Sequence, residues 1–423
     1  MNIVVNNSKC QGEVKIPTSK SDLHRAIFAA SLAKGTSIIQ NVTLSNDVNA
    51  TINAFRNLGA TITHKDDTLI IEGLKDFENR ISNRINCDEC GSTLRFIIPI
   101  LGMFKKEFII EGSPSLLSRP LDIYEEIYKK QQLKLKKEKH RILLQGQISS
   151  GDYVLKGDIS SQFVSGLLFY LPLLKEDSSI EIIPPFESES YVNMTIKTLK
   201  EFGIEIIKES PLKFIIKGNQ EYKPRVYVAE ADYSQFAFFA VLGAINGDIT
   251  CRGLNKSSIQ GDKVILDILK SFNVNYEFID DKITVYKSND LKGSVIDLSD
   301  CPDLGPVCMI LSLFSKTPVK IINIKRLRLK ESNRVESMVE NLRKLNAIIE
   351  VHEDYMIVYP STLKATKEIL NSYNDHRIMM SLVVAASKVS GATKITNAAC
   401  VKKSYINFYK DMQEVGVTLG VYM

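Results

Sequence analysis

Residues 191–218 read YVNMTIKTLKEFGIEIIKESPLKFIIKG. An amphipathic helix comes first, a short turn at Gly203 follows, and two β-rich runs close the stretch. The same element recurs as VNATINAFRNLGATITHKDDTLIIEGL, LDIYEEIYKKQQLKLKKEKHRILLQG, DKVILDILKSFNVNYEFIDDKITVYK and RVESMVENLRKLNAIIEVHEDYMIVYP. The ends of the five copies, Gly73, Gly146, Gly218, Lys287 and Pro360, are 73, 72, 69 and 73 residues apart, so a chain of 423 residues holds about six units. A sixth copy, GATKITNAACVKKSYINFYKDMQEVGVTL, runs out of chain, and the N-terminal MNIVV could supply its missing strand. That would tie the two termini into one domain. More apolar helices lie between the copies: HRAIFAASLA, FVSGLLFYLPLL, SQFAFFAVLGAI and RIMMSLVVAASKV. Each unit therefore reads as βαβαββ, an α/β class, and its period is too long for the common solenoids.

The bulk composition sets few demands. There are 54 basic and 49 acidic residues, a net charge of +5, which is mild for this length and does not require a polyanionic partner. Hydrophobic content of 44% and charged content of 24% are ordinary for globular chains. The most basic run, KKQQLKLKKEKHR (129–141), has no interleaved aromatics and reads as a solvated helix end and hairpin. Neither nucleic acid nor a membrane is expected as a partner. MNIVVNNSKC lacks the pattern of a signal peptide, and FVSGLLFYLPLL is too short to span a bilayer and contains Pro172. A cytoplasmic protein with reduced thiols fits the seven scattered cysteines. Cys87 and Cys90 form a C-x-x-C without a second pair or a nearby histidine, so they read as small buried or loop thiols. The five histidines are far apart in sequence and show no metal spacing, and without a P-loop a nucleotide site of that kind is not supported.

The unusual polar clusters fall where helices should begin. TSKSDLHR (18–25), CGSTLR (90–95), ISSQF (159–163), LKESNR (329–334) and NDHR (374–377) each precede or open an apolar segment. Helix N-termini offer unpaired N–H groups and the positive end of the dipole, which suits anions. Serines there can simply be caps. Lys20, Arg25, Lys330, Arg334 and Arg377 are harder to explain, because a cation at a helix N-terminus opposes the dipole. A bound anion would remove the penalty. In the segment from Arg334 onward, Val335, Met338, Val339, Leu342 and Leu345 form the expected buried stripe, with Lys330 and Arg334 on another face.

SKSDLHRA, GSTLR, SRPLD, ISSQF, SESY, CPDLGP, LKESNR and YNDHR occur in this order across the whole chain. Together they resemble the 5-enolpyruvylshikimate-3-phosphate synthase family. The resemblance implies two domains, each of three βαβαββ units about a pseudo-threefold axis, with boundaries at 19–230 and at 1–18 plus 231–423. It implies transfer of the enolpyruvyl group of phosphoenolpyruvate to the 5-hydroxyl of shikimate 3-phosphate, releasing phosphate, by a monomer and with no metal or organic cofactor. Lys20, Ser21, Arg25, Ser160, Ser161, Gln162, Ser188, Tyr191, Asp303 and Lys330 match the shikimate 3-phosphate site. Lys20, Gly91, Arg119, Gln162, Arg334, Arg377 and Lys403 match the phosphoenolpyruvate site. Asp303 and Glu331 match the acid/base pair, with Lys20 as a further catalytic candidate. With cations drawn from both halves, binding of shikimate 3-phosphate is expected to close the protein.

The chain departs from the family pattern at Thr18, Glu89, Cys90, Ser92, Arg326 and Ile406, where Gly, Asn, a small residue, Thr, Asn and Pro are usual. The alternative is the enolpyruvyl transferase acting on UDP-N-acetylglucosamine, which carries a Cys in the loop before an Arg-Pro. Here EGSPSLLSRP (111–120) has none.

Overall fold

The computed structural model describes residues 1–78 and 81–422. The chain folds as two compact units, one of Met1–Ser19 with Glu230–Met423 and one of Lys20–Ala229. The crossings are tied backbone to backbone within the first of these: Ser19 N–H donates to Glu230 C=O (2.7 Å) and Asp232 N–H to Pro17 C=O (2.9 Å).

The repeated element forms because its helix ends in the same way each time. In the quoted copy the helix Glu189–Glu201 is followed by Gly203 at φ +82°. Gly203 N–H donates to Lys200 C=O and Ile204 N–H to Leu199 C=O, the paired bonds of a Schellman stop. The corresponding residues Gly59, Gln132, Asn273, Asn346 and Gly416 also have positive φ and carry the same pair of bonds. Glycine and asparagine reach this left-handed region with least strain, which is why they hold five of the six positions. Gln132 is the exception.

After each stop the chain makes an antiparallel pair. In the quoted copy Ile206–Ser210 pairs with Lys213–Ile216 in the register Ile206↔Ile216. Among the described residues six four-stranded sheets result, and all share one strand order. Numbered along a repeat, the order is first, second, fourth, third, with the first two strands parallel and the remaining pairs antiparallel. Three sheets borrow a strand from afar. Asn2–Val5 inserts between Thr393–Thr396 and Leu419–Tyr422, so the N-terminal strand does complete the last repeat. Val226–Val228 pairs parallel to Thr36–Gln40, and Gly12–Lys15 pairs parallel to Ile249–Arg252. The architecture is thus α/β, three βαβαββ repeats in each unit.

Each repeat contributes one apolar helix to the interior. In the unit Lys20–Ala229 these are Lys20–Leu32, Gly91–Leu101 and Ser161–Tyr170. Phe28, Phe96 and Phe169, one from each, meet with ring centroids 5.4, 5.4 and 5.5 Å apart and mark the pseudo-threefold axis. Truncating one of these buried rings to Ala would cost about 3–5 kcal/mol. In the other unit the inner helices are Tyr233–Ile245, Gly305–Leu313 and His376–Ala386, buried along their whole length. Three helices related by such an axis point the same way, so their N-termini gather at one end of each unit. That gathering places the polar clusters.

LKESNR leads into its helix as expected: the helix begins at Arg334, where the Asn333 side chain caps by accepting from Glu336 N–H (3.3 Å). The pairing of Lys330 with Arg334 on one face is the part that differs. Lys330 lies in extended backbone ahead of it, so Lys330 and Arg334 do not share a helix face. The stripe Val335, Met338, Val339, Leu342 and Leu345 is buried.

Candidate active site

In the unit Lys20–Ala229, Lys20 and Ser21 open the first inner helix. The Lys20 ammonium sits 2.7 Å from Asp47 Oδ2. The second inner helix begins at Gly91 and Ser92, capped by Cys90, whose sulfur accepts from Thr93 N–H (3.4 Å). The third begins at Ser161, capped by Ser160, whose hydroxyl accepts from Gln162 N–H (3.3 Å). The Gln162 amide joins two of these starts: it donates to Ser92 Oγ (3.0 Å) and accepts from Arg95 Nη1 (2.6 Å). Space above Gly91 is bounded by Arg119, Arg95 and Gln162. A Cβ there would lie 3.1 Å from Arg119 Nη1, 3.3 Å from Arg95 Nη1 and 3.5 Å from Gln162 Oε1. Arg119 Nε is buried with no hydrogen-bond partner among the described residues. Guanidinium groups around a glycine at a helix N-terminus form a small anion pocket.

Arg25 has a more structural placement than its motif implied. It is buried, donating from Nε to Thr195 Oγ1 (2.8 Å), from Nη1 to Ser21 C=O (2.7 Å) and from Nη2 to Tyr191 C=O (2.8 Å). Burial lowers its pKa to about 10. Arg25 therefore braces Ser21 and Tyr191 against each other, leaving two of its five donors for a ligand. Ser188, at φ +57°, immediately precedes the helix Glu189–Glu201 that carries Tyr191.

In the other unit the carboxylates are the organising groups. Asp303, in the turn Pro302–Leu304, accepts from Arg334 Nη1 (2.9 Å) and Arg377 Nη2 (3.2 Å), with Lys330 Nζ at 3.7 Å. Asp375 caps the helix His376–Ala386, accepting from Arg377 N–H (2.9 Å), and takes the Arg334 fork on both oxygens (2.8 and 3.3 Å). Burial pushes the Asp375 carboxyl up, but the charge and hydrogen bonds of Arg334 together with His376 hold the group below the usual range. Arg334 responds in kind: burial disfavours its charge, and Asp375 and Asp303 more than restore it. Glu331 is a near neighbour of Asp375, with different partners: its Oε2 lies 3.0 Å from His376 Nδ1 and 3.5 Å from Lys403 Nζ. Lys403 is buried and also donates to Asn374 C=O, whereas Lys402 is exposed.

Sequence reasoning singled out most of the cations and the carboxylates Asp303 and Glu331, and passed over Arg95, Asp375, His376 and Asp47. The first three lie inside quoted motifs, so their neighbours were the signal. Asp47 carried none, since an acid in the first turn of a helix is ordinary. The carboxylates also revise the electrostatic argument: Asp47, Asp303 and Asp375 already offset much of the opposition between cation and helix dipole. Two groups of metal-capable side chains occur among the described residues, Glu331–Asp375–His376 and His24–Asp47–Cys90. No helix among the described residues is long and apolar enough to cross a membrane.

The fold is that of enolpyruvyl transferases. The EPSP synthase of Acinetobacter baumannii superposes with a TM-score of 0.81 at 21% identity over 100% of both chains. The enolpyruvyl transferase NikO of Streptomyces tendae gives 0.80 at 15% identity over 99% and 98%. Residues 4–412 match the family model of EPSP synthase (3-phosphoshikimate 1-carboxyvinyltransferase). A 3-phosphoshikimate 1-carboxyvinyltransferase of Clostridium kluyveri is 43% identical over 98% of this chain and 97% of its own length. One of Clostridium perfringens is 41% identical over 98% of each. The chain belongs to the EPSP synthase family.

Proposed function

We infer that the two groups of residues serve one reaction, the transfer of the enolpyruvyl group of phosphoenolpyruvate to the 5-hydroxyl of shikimate 3-phosphate in the route to aromatic amino acids. The hydroxyl oxygen bonds to C2 of phosphoenolpyruvate while C3 takes a proton. The tetrahedral adduct then loses one of the three C3 hydrogens as a proton, and its phosphate, leaving an enol ether. Proton transfer at two positions, the hydroxyl and C3, calls for two separately placed acid/base groups. The observation that supports this reading is the separation of roles around the carboxylates. Asp303 is gripped by Arg334 and Arg377, while Glu331 is held by His376 and Lys403.

In this reading Asp303 receives the hydroxyl proton and Glu331 delivers and removes the C3 proton. Lys403, 3.5 Å from Glu331, supplies positive charge beside it, and Lys20 is a further candidate in either transfer. Arg334, Arg377, Lys403, Arg119, Lys20, Gln162 and the N–H groups at Gly91 take the carboxylate and phosphate of phosphoenolpyruvate. Ser21, Arg25, Ser160, Ser161, Gln162, Ser188, Tyr191, Asp303 and Lys330 take shikimate 3-phosphate. The reading places the reaction in the cytoplasm, on a monomer.

The test is isotopic. Reversible C3 protonation in D2O carries deuterium into the vinyl group of the product. Glu331→Gln should slow that labelling together with turnover, by about two to four orders of magnitude, while shikimate 3-phosphate still binds. Label entering at the wild-type rate would assign the carbon proton to another residue.

A further inference from the structure

His24, Asp47 and Cys90 have no part in the reaction described above, yet they form a compact set of donors. They come from the helices Lys20–Leu32 and Asn46–Leu58 and from the cap of Gly91–Leu101. All three are buried, and one donor atom from each lies within 4.8 Å of the others. The histidine ring is held in place: Nδ1 is 2.7 Å from Thr51 Oγ1, which is itself 2.7 Å from Thr93 Oγ1. That leaves Nε2 facing the sulfur of Cys90 at 3.5 Å. A tetrahedral zinc centre, with bonds of about 2.3 Å to sulfur and about 2.0–2.1 Å to nitrogen, sets those two atoms about 3.5 Å apart. A hydrogen bond on the second ring nitrogen is also what orients a ligating histidine.

We propose that Cys90 Sγ, His24 Nε2 and the Asp47 carboxylate form a binding site for a thiophilic divalent cation such as zinc, and that occupancy inhibits the enzyme by taking Asp47 away from Lys20. The exchange is balanced in charge. The set now holds one ammonium against one carboxylate, with a neutral thiol and a neutral imidazole. With the metal in place, a dication faces one carboxylate and one thiolate. The thiol proton and the displaced Lys20 ammonium go to solvent, and nothing is oxidised or reduced. Lys20, with its side chain 17% exposed against 6% for Asp47, is the member that can swing out. Arg25, the next cation on the helix, is held by Ser21, Thr195 and Tyr191 and keeps its place. The inhibitory half rests on the role given to Lys20 above; the binding half does not.

The test uses the intact chain with zinc as the probe and cobalt as a spectroscopic reporter. Equilibrium dialysis should find one zinc per chain in the wild type and in Cys87→Ser. In Cys90→Ser, which keeps a helix-capping group, binding should weaken by about tenfold or more. Cobalt should show thiolate charge-transfer absorption in the wild type and not in Cys90→Ser. Turnover should fall on titration with zinc, recover on chelation, and resist zinc in Cys90→Ser. No stoichiometric binding, or binding unaffected by Cys90→Ser, would overturn the site. Binding that depends on Cys90 but leaves turnover untouched would keep the site and overturn its coupling to Lys20.

Discussion

Replacing Gly91 by Ala probes the anion pocket with one methyl group. The added Cβ would sit 3.1 Å from Arg119 Nη1 and 3.3 Å from Arg95 Nη1, inside the roughly 3.5–4.0 Å at which such atoms rest. Arg95 is tied to Gln162 Oε1 at 2.6 Å and to Pro120 C=O at 3.2 Å, so it yields little. Arg119, whose Nε has no hydrogen-bond partner among the described residues, is the group that retreats. It must move by about 0.4 Å or more, away from the place where a ligand carboxylate or phosphate would meet it. A misfit of this kind costs about 1–3 kcal/mol, or about 5- to 150-fold in phosphoenolpyruvate affinity. The flexible guanidinium end absorbs the strain in the free protein, so the melting temperature should move by no more than about 2–4 °C. Shikimate 3-phosphate binding should stay within about threefold, because a 1 kcal/mol disturbance would already exceed that. Calorimetry with each ligand, alongside a thermal melt, separates these outcomes. Equal losses for both ligands would refute the reasoning and indicate a folding defect, and unchanged phosphoenolpyruvate binding would remove the anion from this pocket.

Other perturbations test other parts. Glu331→Gln should lower kcat by about two to four orders of magnitude with both KM values nearly kept. Asp303→Asn should lower kcat and also raise the phosphoenolpyruvate KM, since Arg334 and Arg377 lose a shared counter-charge; steady-state kinetics distinguishes the two patterns. Cys87→Ser and Cys90→Ser should leave metal-free turnover within about twofold in a phosphate-release assay, because the chemistry needs no thiolate and both serine and cysteine can cap the helix. Burial, with Lys20 and Arg25 adding to it, holds His24 neutral well below its ordinary pKa. The unfolded chain therefore binds a proton below about pH 6.5 that the folded chain refuses, and stability falls as pH drops through that point. Thermal melts from pH 7.5 to 5 should show this slope, and His24→Gln should flatten it.

The fold was legible because the repeat carries its own punctuation. Gly59, Gly203 and Gly416 with Asn273 and Asn346 sit at the same turn of successive copies and stop each helix in the left-handed conformation. Gln132 breaks the residue pattern but not the geometry, since its backbone bonds match the others. Lys330 and Arg334 were expected on one helix face because they stand four apart, while the Asn333 cap that leaves Lys330 outside the helix is a single side-chain bond. The site was legible where a motif holds both partners, as in GSTLR and NDHR. It was not legible where partners come from distant segments. Lys20 and Asp47 meet across the two helices of one repeat, and His24 and Cys90 across two neighbouring repeats. Arg25 shows the converse, a motif cation whose bonds mostly hold the protein to itself.

The central claim is the pairing of substrates. Purified protein should be given phosphoenolpyruvate with shikimate 3-phosphate, with UDP-N-acetylglucosamine, and with neither, and the released phosphate followed with time. The account predicts sustained phosphate release only with shikimate 3-phosphate, matched by a product heavier than it by one enolpyruvyl group. Release that depends on UDP-N-acetylglucosamine, or that proceeds equally with no acceptor, would contradict it.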